Sequence, residues 1–111
     1  VNARLTARVA VNALVRRANA LGDFATVARK GDENAGQIVL LARRRDGRVQ
    51  VFTRAMRADG AYAWTIAIEG DKEELDKINE YLGRQSRYDP DLWVVELDTD
   101  NPERLVDDEL I

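Results

Sequence analysis

Three glycine-bearing turns cut residues 24–68 into four extended stretches, and this punctuation constrains the fold more than any other feature of the chain. Residues 24–30 run into Gly31-Asp32-Glu33-Asn34-Ala35-Gly36, residues 37–44 into Asp46-Gly47, and residues 48–55 into Asp59-Gly60 ahead of residues 61–68. Asp-Gly favours a tight hairpin because a type I′ turn needs two positive φ angles, which these residues adopt at least cost. Four extended stretches joined in this way read as an antiparallel meander. Residues 38–42 are apolar at every position, which places that stretch inside the sheet with both faces covered. In the last stretch Tyr62, Trp64, Ile66 and Ile68 alternate with Ala61, Ala63, Thr65 and Ala67. The bulky set is therefore expected on one face, toward the core.

Helical signals flank these stretches. Residues 4–11 alternate, with Leu5, Ala7, Val9 and Val11 on one parity, and read as a strand. Val11, Leu14, Val15, Ala18 and Leu21 then recur at helical spacing, with Gly22 as the stop. The alternative is a single helix from Thr6 onward, which alanine-rich segments favour. Asp71 and Glu74 have capping-box spacing and open a second helix. Its expected buried stripe is Leu75, Ile78 and Leu82, flanked by Tyr81, with Glu73–Lys77 and Glu80–Arg84 paired on its surface. Gly83 marks either fraying or close contact with a neighbour, and Asp89-Pro90 halts the helix because the residue before proline avoids the α region. Residues 92–97 read as a closing strand. The expected fold is a two-layer α+β domain in the order βαββββαβ, with two helices on one face of a mostly antiparallel sheet. It spans residues 1–98, followed by an acidic tail, 99–111, that is either disordered or docked through Leu105, Val106, Leu110 and Ile111.

At 111 residues the chain has room for one core. It contains no cysteine and no histidine, which removes the thiol nucleophile, the imidazole base, the disulfide framework and metal sites built on sulfur or nitrogen ligands. Ser86 is the single serine and has no histidine to activate it. No window approaches the roughly 18 apolar residues of a membrane span. Arg4, Arg8 and Asn12 break up any signal-like stretch, so a cytoplasmic address is expected.

Charge is distributed unevenly. Residues 1–57 hold twelve arginines and lysines against four acids, whereas residues 58–111 hold five against sixteen. The plain interpretation is one mixed surface whose fields cancel; the sharper one is a true basic face. Arg43, Arg44, Arg45 and Arg48 on one hairpin, with Arg54 and Arg57 on the returning strand, have the chemistry of an anion-binding strip. Only Phe52 is near enough to stack a base, and hairpin arginines also protect a sheet edge from pairing, which is the preferred reading. Arg29 and Lys30 ahead of Gly31 form a second candidate anion site, although Asp32 and Glu33 would repel a phosphate. The pairs Asp89 with Asp91 and Asp98 with Asp100 have carboxylates for a cation or a shared proton, but aspartates in turns more often cap backbone groups. Tyr88, Asp89, Asp91 and Trp93 could line a pocket, with a core role the plainer expectation for Trp93.

The segments Phe24-Ala25-Thr26-Val27-Ala28-Arg29-Lys30-Gly31-Asp32, Ala35-Gly36 and Asp89-Pro90-Asp91-Leu92-Trp93-Val94-Val95-Glu96 resemble the alphaproteobacterial "domain of unknown function 1491" proteins. Arg16-Arg17 and Asp59-Gly60 ahead of Trp64 extend the resemblance over nearly the whole chain. It implies a small, single-domain, cytoplasmic bacterial protein and carries over no activity, substrate or catalytic residue. The functional expectation is a non-catalytic interaction module that binds a protein partner or itself through a charge-segregated surface. Nucleic-acid binding through the arginine hairpin is one alternative, and a carboxylate- or metal-dependent enzyme acting on a small substrate is the other. No catalytic residue, metal ligand or cofactor is assigned.

Overall fold

The computed structural model describes residues 6–56, 58–60 and 62–106, with the side chains of residues 55, 56, 62 and 106 outside the description. Helix α1, Ala7–Ala20, opens at Thr6, whose Oγ1 accepts the Val9 N–H at 3.3 Å. The N–H groups of Ala7 and Arg8 donate to the carbonyls of Asn34 and Glu33, which satisfies two further donors of the first turn. The strand expected before Val11 is thus the start of a helix, and the alternative of one helix from Thr6 is what forms. Ala7, Ala10, Val11, Leu14 and Ala18 make one buried stripe at helical spacing. The short alternation of residues 4–11 fits both periods, and the alanines tip the balance. Gly22, at φ 86°, ends the element.

Among the described residues five strands follow: β1, Phe24–Arg29; β2, Ile38–Arg43; β3, Val49–Met56; β4, Tyr62–Gly70; and β5, Trp93–Asp98. They form one sheet in the order β1-β5-β2-β3-β4. The α+β class and the mostly antiparallel sheet are as expected, but the meander comprises only β2, β3 and β4. Strand β5 lies between β1 and β2, antiparallel to the first and parallel to the second. Burial explains the insertion. Trp93, Val94, Val95 and Leu97 are all buried, so β5 needs neighbours on both sides and cover on both faces, whereas most of β1 is exposed and suits an edge.

The helices do not share a face. Ile38, Leu40, Ala42, Phe52, Trp93, Val95 and Leu97 pack against α1, joined by Leu105 of a short third helix, α3, Glu103–Val106. Val39, Leu41, Val49, Val51, Leu92 and Val94 pack on the opposite side, against Ile78 of helix α2, Leu75–Tyr88. A strand apolar on both parities cannot be satisfied by helices on one side, so the two-layer arrangement becomes three layers. The bulky residues of β4 divide in the same way. Val51 pairs with Ile68 and Phe52 with Ile66, so Ala67 is an extra residue that reverses the alternation. Trp64 packs with the α1 layer and Ile68 with the α2 layer, while Ile66 stays 46% exposed. The Tyr62 side chain lies outside the described residues.

The capping box forms as expected: Asp71 Oδ1 accepts the Glu73 N–H, and Glu74 Oε1 accepts the Asp71 N–H. A single 3-10 turn, Lys72–Glu74, leads into α2. Ile78 is fully buried, but Leu75 is 40% exposed and falls outside the stripe. Lys77 pairs with Glu74 instead of Glu73, and this hydrogen bond, with the Asp71 N–H, holds the Glu74 carboxyl below its ordinary value. Gly83 neither frays the helix nor admits a neighbour, since a Cβ there would meet only the tip of Arg87.

Candidate functional site

The Gly31–Gly36 turn and the Asp89–Trp93 turn, two of the segments singled out in the sequence, are built against each other. Arg29 Nη1 donates to the Leu92 carbonyl at 2.5 Å and Nη2 to the Pro90 carbonyl at 3.1 Å. Trp93 Nε1 donates to the Asp32 carbonyl at 2.6 Å, and the Asp32 N–H donates to the Asp91 carbonyl at 3.0 Å. A Cβ at Gly31 or Gly36 would stand 2.1 or 2.3 Å from the Asp91 oxygen, so both glycines exist to let the backbones meet. The Asp32 carboxylate accepts the N–H groups of Ala35 and Asn34, which lower its pKa. It occupies the place a bound anion would take in that turn. Lys30 faces Glu33 at 3.6 Å, both well exposed. Of the four candidate pocket residues, Tyr88 is 86% exposed and Trp93 is in the core, while Asp89 Oδ1 accepts the Asp91 N–H in a turn.

The arginine hairpin lies where the carboxyl ends of β2 and β5 run side by side. Parallel register sets Arg43 beside Asp98 and Leu41 beside Glu96, and the Arg43 guanidinium reaches both acids, at 3.1 and 3.0 Å. Arg44 donates to the Asp100 carbonyl at 2.7 Å, to Glu103 at 3.1 Å and to Gln50 at 3.2 Å. The Arg45 N–H donates to Asp100 at 2.9 Å, its guanidinium lies 3.6 Å from the same carboxylate, and Arg48 meets Glu69 at 3.2 Å. Arg104 approaches Asp23 at 3.4 Å. Of these, Asp23, Arg43, Arg44, Arg45, Asp98, Asp100 and Arg104 line an open groove of about 400 Å³, whereas Arg48 and Glu69 line a separate hollow. The arrangement cross-links chain segments and leaves little uncompensated positive charge for phosphate. Arg54 is also engaged in an interaction, and Arg57 lies outside the described residues. The acids Glu69, Glu96, Asp98, Asp100 and Glu103 complete the set. The sequence marks Asp98 and Asp100 as a carboxylate pair and the others only through the charge split, because pairing with the arginines depends on long-range register. Among the described residues no cluster of three or more acids is placed to hold a metal ion, and no helix is long and apolar enough to cross a membrane.

One feature of a different kind is the outer edge of β4. Among the described residues this strand is terminal in the sheet, so one row of its backbone N–H and C=O groups has no strand partner there. Residues 60–68 contain no charge and no proline. Thr65, Ile66 and Ala67 are exposed, and Thr65 meets Thr53 of β3 at 3.4 Å on the sheet surface. The opposite edge, β1, is shorter and carries a bulge between Val27 and Arg29.

Together these features define a small α+β protein with one mixed sheet between helical layers, its turns pinned through Trp93 and its surface tied by ion pairs. The chain belongs to the family described as protein of unknown function (DUF1491), whose model matches residues 5–107, in agreement with the motif resemblance. A crystal structure of a DUF1491 family protein from Caulobacter crescentus CB15 is similar at 41% identity, covering 86% of this chain and 89% of that one, with a TM-score of 0.78. The solution structure of protein Atu0922 from A. tumefaciens is similar at 36% identity over 94% of this chain and 93% of that one, with a TM-score of 0.81. No curated protein matches the chain.

Proposed function

We propose that this protein is a non-catalytic interaction module that docks a protein partner by adding a strand at the outer edge of β4. The observation that carries the reading is this terminal strand with an uncharged, proline-free run over residues 62–68. Natural edge strands are commonly protected by lysine, proline or an inward charge, and this run has none of them before the bulge at Ala67. Strand addition draws its affinity from main-chain hydrogen bonds and its selectivity from alternate side chains. The ion-paired groove supports this choice by contrast, since its arginines already have carboxylate partners within the fold.

The test compares two exposed substitutions. Thr65→Lys places an ammonium group in the middle of the open edge, whereas Arg45→Glu reverses a charge on a side chain that is 91% exposed in the groove. Association, measured by sedimentation and by cross-linking in extract, is expected to be lost in Thr65→Lys and kept in Arg45→Glu. Association insensitive to Thr65→Lys would overturn the reading, as would its absence from the wild-type protein.

A further inference from the structure

The edge of β4 is self-complementary, and we infer that its occupant is a second copy of this chain, paired antiparallel about a twofold axis at Trp64. The inference rests on the edge-docking reading and adds the identity and register of the partner. A twofold axis perpendicular to the sheet keeps the α1 side of both copies on one side, so facing residues must come from the same face of β4. The regular part of the strand, between its start at Tyr62 and the bulge at Ala67, covers residues 62–66, is uncharged and is centred on Trp64.

Pairing about that centre sets Tyr62 opposite Ile66 of the second copy, Ala63 opposite Thr65, and Trp64 opposite its counterpart. Within the paired residues 62–66 no charged residue faces the partner strand, and the half-exposed Ile66 acquires a neighbour. Regular geometry selects this occupant over the other sheet edge of the molecule. Strand β1 has its bulge between Val27 and Arg29, and Arg29 is bound to the carbonyls of Pro90 and Leu92. Pairing β4 with β1 would interrupt the new ladder at that bulge. Pairing β4 with β4 joins two sheets into one continuous sheet and leaves β1 as the outermost strand at both ends.

The chain has no cysteine, so disulfide trapping reports register directly. Residues directly opposite across antiparallel strands lie about 4.5–5.5 Å apart and diagonal ones about 7–8 Å. Only the former fall well within the range of about 4.4–6.8 Å that a disulfide spans between Cα atoms. Ala63→Cys and Thr65→Cys are made as separate variants, neither at a fully buried position, and are mixed under mild oxidation. The mixed 63–65 disulfide is expected to exceed either homodisulfide several-fold, and wild-type protein is expected to sediment as a concentration-dependent dimer that Thr65→Lys abolishes. Thermal melting of each variant confirms that it is folded. Wild-type protein that stays monomeric at every concentration, or homodisulfides that dominate, would overturn the second-copy inference. If that monomer still holds another protein that Thr65→Lys releases, the edge-docking reading survives without it; association of any kind that ignores Thr65→Lys removes both.

Discussion

At the scale of single residues, Gly31 and Asp32 show how a motif can be demanding without being catalytic. Gly31 is there because the Asp91 carbonyl and the Trp93 ring fill the space a side chain would need. Gly31→Ala is expected to cost about 1–3 kcal/mol, the usual penalty for overpacking, whereas Gly83→Ala in α2 should stabilise by about 0.5–1 kcal/mol because nothing crowds it. Chemical denaturation of the two variants measures both; equal effects would contradict the account. Asp32 makes a pH-dependent prediction. Its carboxyl is held below the ordinary value of 3.8 by the N–H groups of Ala35 and Asn34. A carboxyl depressed in the folded state contributes stability that is fully present above its unfolded value and lost as pH falls through the folded one. The stability gap between wild type and Asp32→Asn should therefore be constant near neutrality and shrink below pH 3.8. A gap unchanged down to the acid transition would show that the carboxylate charge does not hold the turn.

At the scale of elements, local chemistry was legible and long-range pairing was not. The α2 start could be read because Asp71 and Glu74 cap each other within one turn, and its end because Asp89-Pro90 excludes the helix. The parity of β4 misled because Ala67, one extra residue opposite β3, moves Ile68 to the other face, and nothing local marks that slip. The same limit applied to the candidate site. The hairpin arginines were visible, but their partners depend on β5 lying parallel to β2, a contact between residues more than fifty positions apart. The double-sided burial of β2 is legible in its unbroken apolar run, and it requires a helix on each face. Ile78 is the fully buried anchor of the second of those helices. Ile78→Ala should cost about 2–5 kcal/mol, while Leu75→Ala, at a 40% exposed position, should cost clearly less. Melting curves showing the reverse order would mean that α2 is seated differently.

At the scale of the whole molecule, the two oppositely charged halves of the sequence are interlaced instead of being opposed. The acidic half supplies β5, which lies between β1 and β2 of the basic half. The pairs Arg43–Asp98, Arg44–Glu103, Arg48–Glu69 and Arg104–Asp23 each join one half to the other. Each is solvent-exposed on at least one side and worth only about 0–1 kcal/mol, so they favour this register without accounting for stability. Stability rests on the apolar rows of β5 and β2. Because β1 has β5 as its sheet neighbour, removing β5 separates β1 from the sheet and uncovers one side of β2. A chain ending at residue 91 should therefore show no cooperative melting transition, although it retains α1, β1 to β4 and α2. In the intact protein, amide exchange should be slowest in β2 and β5, at the free energy of global unfolding, and faster along β1 and the outer row of β4. Raising the protein concentration supplies the discriminating step. If β4 pairs with its own copy, protection should rise selectively over residues 62–66 while β1 exchanges as before. A uniform rise, or none at any concentration, would leave that edge open to solvent.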